Sequence, residues 1–162
     1  MTKILLNLGC GDRLVNPPGD NWQVVNHDKR RHKLNVDVVW DLDSLPWPWA
    51  DGSVATIYAW QVLEHLTIPL WRSFNECWRI VKPGGLLTVN LPLWGADNSH
   101  TDPSHRWWVT ETTFDFFDPS RDLGRRYGTT IYGWKPWTVV NVTRANEASV
   151  VAVLKSLKGE RS

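Results

Sequence analysis

The stretch at residues 4–11 has the sequence ILLNLGCG and is the strongest indication of the fold. A short apolar run of this kind predicts a buried strand. The glycines that follow, Gly9 and Gly11, predict a tight turn whose main-chain N–H groups are open to a ligand. Residues 12–21 contain two prolines and a further glycine before the next apolar run begins at Trp22. A helical crossover needs about 10–12 residues in all, so we expect a loop there with at most one helical turn.

Apolar runs recur along the rest of the chain and predict further strands at residues 22–26, 36–40, 54–59, 86–91, 138–142 and 149–154. The last two are expected to form a closing antiparallel hairpin. A helix is expected over about residues 69–81, with shorter ones near 61–66 and 110–117, the last of them capped by Thr110. Apolar strands separated by helices predict an α/β fold with a mostly parallel sheet.

Length and composition limit the function further. The chain has 162 residues, a net charge of +1 and two cysteines. We therefore expect one domain over residues 1–162, and no disulfide scaffold. The near-neutral charge does not support non-specific nucleic-acid binding, and no apolar stretch is long enough to span a membrane. A soluble cytoplasmic protein with reduced thiols is expected. The twelve tryptophans indicate either core packing or an aromatic-lined pocket.

Polar side chains follow several predicted strands, and parallel sheets bind ligands beyond the carboxyl ends of their strands. Asp28 ends the second strand, where a carboxylate can accept both ribose hydroxyls, unless it is simply a solvated aspartate. Asp41 follows the third strand and is either an acceptor for an exocyclic amine or a turn residue. Trp60 and Gln61 follow the fourth strand. His65 lies just beyond them and is either a base or a structural histidine.

Taken in order, the segments NLGCG (7–11), NHD (26–28), DL (41–42), VLEHL (62–66) and KPGG (82–85) resemble one family. The chain is similar to the class I S-adenosylmethionine-dependent methyltransferases, in the methyltransferase type 11 group. The similarity extends over about residues 3–118, and the terminal hairpin fits the end of that fold. The resemblance implies a Rossmann-like, mostly parallel sheet of seven strands with an antiparallel last strand.

The same resemblance implies S-adenosylmethionine as the cofactor. Gly9 and Gly11 would lie near its methionine part and Asp28 on its ribose, with Trp60 and Gln61 by the sulfonium and the carboxypropyl arm. The full set of expected cofactor-binding residues is Asn7, Leu8, Gly9, Cys10, Gly11, Asp28, Lys29, Asp41, Leu42, Trp60 and Gln61, with Asp41 and Leu42 at the adenine.

Two departures from the family pattern affect the cofactor site. The amino-terminal helix that usually precedes the first strand is absent from the sequence given, because Ile4 already lies in that strand. The first crossover is also shortened. A minimal form of the domain is therefore expected, with the cofactor more exposed than usual. A second subunit that covers the cleft is a further hypothesis, which would make the protein a homo-oligomer.

The resemblance places the acceptor pocket at residues 92–108, beyond the fifth strand. His105, and His65 from the preceding strand end, are the candidate catalytic residues, since either could deprotonate an acceptor hydroxyl. The alternative role for His105 is to fix Asp102 or a carbonyl group. His100, His105 and Asp102 also suggest metal ligands, but no further partner is evident in the sequence, so no metal is expected.

We expect methyl transfer to an oxygen or nitrogen of a small soluble acceptor, such as a sugar or glycan precursor. Two alternatives stay open: a module that binds S-adenosylmethionine without transfer, and an enzyme that degrades it. Modification of nucleic acid is a poorer fourth hypothesis. The acceptor itself cannot be derived from the fold, because acceptor pockets are built from loops that vary on one scaffold.

Overall fold

The computed structural model describes residues 2–31 and 35–159. Within them, the apolar runs form one sheet with the strand order β3-β2-β1-β4-β5-β7-β6. Its strands are β1 Lys3–Leu8, β2 Trp22–Asp28, β3 Val38–Val39, β4 Val54–Trp60, β5 Val81–Pro92, β6 Trp137–Asn146 and β7 Ser149–Ser156. The first five pair in parallel, whereas β7 is antiparallel to both β5 and β6. The predicted fold class is confirmed.

The strand order reverses between β1 and β4, which lie side by side at the centre of the sheet. Leu6, Leu8, Ile57 and Ala59 on these two strands are completely buried, as expected for central strands of a parallel sheet. The carboxyl ends of β1, β2 and β4 therefore meet at one edge of the sheet. This is the position at which open α/β sheets bind their ligands.

The predicted third strand is shortened to Val38–Val39 at the edge of the sheet. The reason lies in Asp37, whose carboxylate accepts the main-chain N–H of Asn26 at 2.8 Å and takes the place of a ladder carbonyl. The fifth strand is instead longer than predicted and begins at Val81. Val81 pairs with Val54, so the residues predicted to end the helix already belong to the sheet.

One helix of ordinary length, α1 (Leu70–Ile80), lies between β4 and β5. It begins after Pro69 and buries Phe74, Cys77 and Ile80. The other predicted helices prove to be 3-10 turns at Leu63–His65 and Glu111–Phe117. Thr110 caps the second of them in a capping box with Thr113, as its sequence position predicted. Short helical turns also occur at Asp97–Thr101, Gly124–Gly128 and Thr129–Ile131.

The connection from β1 to β2 contains no helix, which confirms the loop predicted from its length. No helix of the described residues is long and apolar enough to cross a membrane.

Tryptophan side chains stabilise many of the loops that connect the strands and helices. Trp137 is completely buried, and Trp47 is almost completely buried. Five indole N–H groups donate to main-chain carbonyls, those of Trp40, Trp47, Trp78, Trp107 and Trp108. These indole hydrogen bonds thus help to attach the loops to the rest of the fold, together with main-chain hydrogen bonds in the turns.

Candidate active site

The turn after β1 needs glycine at two positions. Gly9 and Gly11 adopt φ values of +57° and +49°, a region that side chains rarely adopt. At Gly9 there is also no space, because an added Cβ would lie 2.3 Å from Cγ2 of Val62. Nothing lies within 4 Å of a Cβ at Gly11. Gly9 therefore permits a close approach between the turn and the chain after β4, whereas Gly11 only permits the bend.

A buried histidine holds this turn in place. His27 on β2 accepts the N–H of Gly9 through Nδ1 at 3.3 Å, so its Nε2 carries the hydrogen that is donated to the carbonyl of Trp40 at 3.0 Å. Burial lowers the pKa of His27, which keeps the ring neutral and able to accept. His27 thus joins the ends of three strands. From the sequence, His27 was predicted only to lie at the end of the second strand.

Asp28 connects the end of β2 to the glycine turn. Its Oδ2 accepts the N–H of Gly11 at 2.9 Å, and its Oδ1 accepts the N–H of Arg30 at 3.2 Å. Both carboxylate oxygens are therefore oriented by the main chain. A carboxylate oxygen can accept more than one hydrogen bond, so these main-chain contacts are compatible with an acceptor role toward a ligand.

Two clefts open at this edge of the sheet, and both are lined by Gly9 and Gln61. The first, which we call the carboxylate cleft, has a volume of about 290 Å³ and is lined by Asp28, Asp41 and Leu42 among others. The second, the tryptophan cleft, has a volume of about 630 Å³ and is lined by Asn7, Arg13 and Trp60 among others. Charged side chains of both signs line each cleft: Lys29 and Arg30 accompany the aspartates of the carboxylate cleft, and Asp12 accompanies Arg13 in the tryptophan cleft.

An ion pair lies on the wall of the carboxylate cleft. Lys29 Nζ is 2.9 Å from Asp41 Oδ2, and the N–H of Asp43 donates to Asp41 Oδ1 at 3.1 Å. The hydrogen bond with Lys29 lowers the pKa of Asp41, and the same bond raises the pKa of Lys29. An amine bound at Asp41 would therefore share its carboxylate with Lys29. Of the basic run at 29–33, His32 and Lys33 lie outside the described residues.

Arg13 contributes a positive charge to the tryptophan cleft. Its guanidinium lies 4.9 Å from the ring centre of Trp60, which also stacks on Tyr58 with 5.4 Å between ring centres. Asn7 donates to the carbonyl of Arg13 at 3.0 Å and fixes the start of the loop. We did not identify Arg13 from the sequence. Its position two residues after the glycine turn was the available signal.

Gln61 adopts an uncommon backbone conformation between the two clefts. Its φ is +53°, and it is the one non-glycine residue with a positive φ among the described residues. Its N–H donates to the carbonyl of Asn90 at 3.1 Å, and its side-chain amide donates to Asn90 Oδ1. Asn90 is buried and hydrogen-bonded in turn to Ser149 on β7. Such strain is often found where a residue is held for binding.

The structure brings ten of the eleven predicted cofactor residues to the walls of the two clefts, since all but Leu8 line at least one of them. The side chain of Leu8 is completely buried in the core. Only its main chain can therefore approach a ligand.

The two candidate catalytic histidines are neighbours, with 4.8 Å between their ring centres. His65 lines the carboxylate cleft and its side chain is 36% exposed, whereas that of His105 is 7% exposed. His65 Nδ1 lies 2.9 Å from Ser104 Oγ, which donates to Asp102 Oδ1 at 2.6 Å. Burial and the nearby His105 lower the pKa of His65. His100 instead lies against the rings of Trp94 and Trp108.

Glu64 belongs to the same cluster but was not identified from the sequence. Its side chain is completely buried, and neither carboxylate oxygen has a hydrogen-bond partner. Burial raises its pKa to about 8. A carboxyl group in this environment needs a proton or a cation beside it.

An aromatic-lined cavity of about 300 Å³ includes Trp107 and Trp108, which follow His105 closely in the chain. Its walls are Leu70, Trp71, Trp107, Trp108, Thr113, Phe116, Phe117 and Trp134. The indole N–H of Trp107 donates to the carbonyl of Leu66 at 2.9 Å, and Leu66 lines the carboxylate cleft. Trp107 thus joins the wall of the aromatic cavity to a segment that lines the carboxylate cleft.

The model of the "Methyltransferase domain" family matches residues 6–89, more than half of the chain. The chain belongs to the class I S-adenosylmethionine-dependent methyltransferases. Over 47 residues, 29% of the chain, it is 43% identical to an uncharacterized methyltransferase of Mycobacterium sp. (strain KMS). That match covers only 18% of the relative's length.

Solved structures of methyltransferases agree in fold. The S-adenosylmethionine-dependent methyltransferase of Archaeoglobus fulgidus superposes with a TM-score of 0.64 at 13% identity, over 96% of this chain and 86% of that one. The corresponding enzyme of Aquifex aeolicus gives 0.62 at 16% identity, over 94% and 81%. At such identities the likeness concerns the fold alone.

S-adenosylmethionine is the cofactor of this family, and the residues present fit it. The positive φ values of Gly9 and Gly11 bend the main chain at the end of β1, where both residues line the tryptophan cleft. Asp28 supplies a preoriented acceptor pair for vicinal hydroxyls. The carboxylate cleft has hydrogen-bond acceptors that suit a nucleoside, and Arg13 in the tryptophan cleft has a positive charge that suits an amino-acid carboxylate.

Proposed function

We propose that the chain catalyses methyl transfer to an oxygen or nitrogen of a small soluble acceptor. S-adenosylmethionine supplies a methyl group on a positively charged sulfur, which is a strong electrophile. The protein's main task is then to align the acceptor. The observation that supports the proposal is the position of the His65–His105 pair beside the carboxylate cleft. The imidazole of His65 forms part of the wall of that cleft, and its lowered pKa keeps it neutral.

The proposed cofactor contacts follow from the two clefts. Asp28 accepts the ribose hydroxyls, and Asp41 with Leu42 holds the adenine. Gly9 and Gly11 offer main chain to the methionine part, and Trp60 and Gln61 lie by the sulfonium. The remaining expected contacts are Asn7, Leu8 through its main chain, Cys10 and Lys29. We add Arg13 as the partner of the amino-acid carboxylate, because its guanidinium lies over Trp60 in the tryptophan cleft.

His65 is the better placed of the two proposed catalytic residues. If its Nδ1–H donates to Ser104 Oγ, the hydroxyl of Ser104 donates onward to Asp102, and Nε2 keeps a free lone pair. Its lowered pKa keeps that lone pair available at neutral pH. His65 would accept the proton of an acceptor hydroxyl, and His105 would position the ring through its edge contact.

A sugar or a glycan precursor is the proposed class of acceptor. The support is the aromatic cavity, whose indole faces offer flat apolar surfaces while the adjacent segment carries polar groups. The near-neutral net charge gives no support to a nucleic-acid acceptor.

Calorimetry with S-adenosylmethionine and S-adenosylhomocysteine tests the cofactor site, and a panel of acceptors with isotope-labelled methyl donor tests transfer. Binding without product on any acceptor would favour a binding module, an alternative motivated by the helix-free first crossover. Breakdown of S-adenosylmethionine without acceptor, measured by mass spectrometry, would favour a degrading enzyme. A second subunit over the cleft stays a prediction, and sedimentation with and without the cofactor tests it.

A further inference from the structure

The buried carboxylate of Glu64 has no hydrogen-bond partner in the fold, although its side chain is completely buried. An unpaired carboxylate in an apolar interior costs several kcal/mol of stability. Buried acidic groups without a partner therefore require an explanation, such as a catalytic role, an ordered water or a bound ion.

Two histidines of the same cluster lie close to Glu64. His65 Nε2 lies 3.9 Å from Glu64 Oε1. One potential ligand atom from each of Glu64, His65 and His105 lies within 4.8 Å of the other two. Ligands in a tetrahedral site with bonds of about 2.0–2.1 Å are roughly 3.3 Å apart. Small rotations of the three side chains would bring their ligand atoms to that separation.

The other nitrogen of each ring already has a protein partner. His105 Nδ1 lies 3.2 Å from the carbonyl of Ser99, so it carries the hydrogen of that contact. His65 Nδ1 lies 2.9 Å from Ser104 Oγ, whose hydroxyl donates to Asp102 at 2.6 Å. Histidines that bind metals donate their second N–H to a carbonyl or a carboxylate in this way, which leaves Nε2 as the ligand.

We infer that Glu64, His65 and His105 bind a divalent transition-metal ion of the zinc type. Two imidazoles and one carboxylate are a common ligand set for zinc, with a fourth position left open. Nitrogen ligands disfavour Mg²⁺ and Ca²⁺, which prefer oxygen. His65 is partly exposed at the carboxylate cleft and gives the ion a path from solvent. From the sequence no metal was expected, because no further partner for His100, His105 and Asp102 was evident; Glu64 and His65 were not among those candidates, and His100 lies against Trp94, outside this cluster.

A bound ion would connect the segment after β4 with the loop at residues 99–108. It would also occupy both imidazoles, so that binding a metal and accepting a proton are alternative uses of the same side chains. The inference concerns binding of the ion and does not depend on the proposed methyl transfer. It goes beyond that function because the ion would bind whether or not an acceptor is methylated.

The full chain is freed of metal with a chelator and titrated with Zn²⁺ alone, without cofactor or acceptor. We expect one ion per chain, counted by mass spectrometry of the metal after gel filtration. Co²⁺ should give the visible absorption of a four- or five-coordinate ion without a sulfur charge-transfer band. Millimolar Mg²⁺ should not compete. Failure of the cofactor site would appear separately, in calorimetry with S-adenosylhomocysteine.

Glu64→Gln and His105→Ala should each weaken Zn²⁺ binding by about 100-fold or more, and Ser104→Ala by about 10-fold. His100→Ala is the matched control and should bind like the parent protein. If Glu64→Gln or His105→Ala does not fold, His65→Ala replaces it, because that side chain is partly exposed. Equal Zn²⁺ affinity in the ligand variants and in His100→Ala would overturn the inference. The inference would also be overturned if Glu64→Gln made the protein more stable and the parent protein retained no ion.

Discussion

The proposed contact of Asp28 with the ribose can be tested by removing its carboxylate. In the structure both oxygens are held by main-chain N–H groups, those of Gly11 at 2.9 Å and Arg30 at 3.2 Å. The group therefore needs little ordering when a ligand binds. A hydrogen bond to a charged group contributes about 1.5–3 kcal/mol, net of the bond to water that it replaces. We expect Asp28→Ala to weaken binding by about 2 kcal/mol, which is about 30-fold.

Calorimetry with S-adenosylhomocysteine measures this loss directly. Asp28→Asn keeps an oxygen for Gly11 and should show an intermediate affinity, which separates the ribose contact from the shape of the turn. Asp37→Ala is the matched control, because Asp37 also accepts one main-chain N–H, from Asn26 at 2.8 Å, but lines neither cleft. An affinity of Asp28→Ala within threefold of the parent protein, with the fold intact by circular dichroism, would refute the assignment.

Other predictions concern the stability and accessibility of the fold. In urea unfolding, Gly9→Ala should lower the free energy of unfolding by about 1–3 kcal/mol more than Gly11→Ala, because only a Cβ added at Gly9 would clash with Val62. Val62→Ala should restore part of the loss. Arg79→Met should lower the free energy of unfolding by about 2 kcal/mol, because the guanidinium donates hydrogen bonds to Glu76 and to the carbonyls of residues 47 and 49. An unchanged unfolding midpoint would contradict this role. Burial raises the pKa of the Cys77 thiol, so iodoacetamide at pH 8 should label it only when the chain unfolds. Rapid labelling of Cys77 in the native protein, measured by mass spectrometry, would show that the core is open.

The sheet could be predicted because its signals are local. The run from Lys3 to Leu8 is apolar and ends in glycine, and the terminal hairpin has two apolar runs joined by polar residues. Errors arose where a distant residue decides the outcome. The third strand is short because the side chain of Asp37 replaces a main-chain partner. The helix predicted at 110–117 is a 3-10 turn instead.

The site shows the same division between local and distant signals. Asp28 and Gly9 follow strands directly, and their place in the carboxylate cleft follows from the topology. Glu64 lies between Leu63 and His65 in an apolar segment, and the group that explains its burial includes His105, far away in the chain. No spacing rule joins residues so distant. Arg13 was missed for a different reason, because its position over Trp60 depends on the course of an irregular loop.

The many indoles that attach loops to the core have a spectroscopic consequence. Trp60 lines the tryptophan cleft, and Trp107 donates to a carbonyl of the segment that borders the carboxylate cleft. Occupation of either cleft changes the surroundings of one of these rings, and with them the wavelength and yield of its fluorescence. The protein therefore contains built-in reporters of ligand binding, and single tryptophan-to-phenylalanine changes would assign each signal to one end of the site.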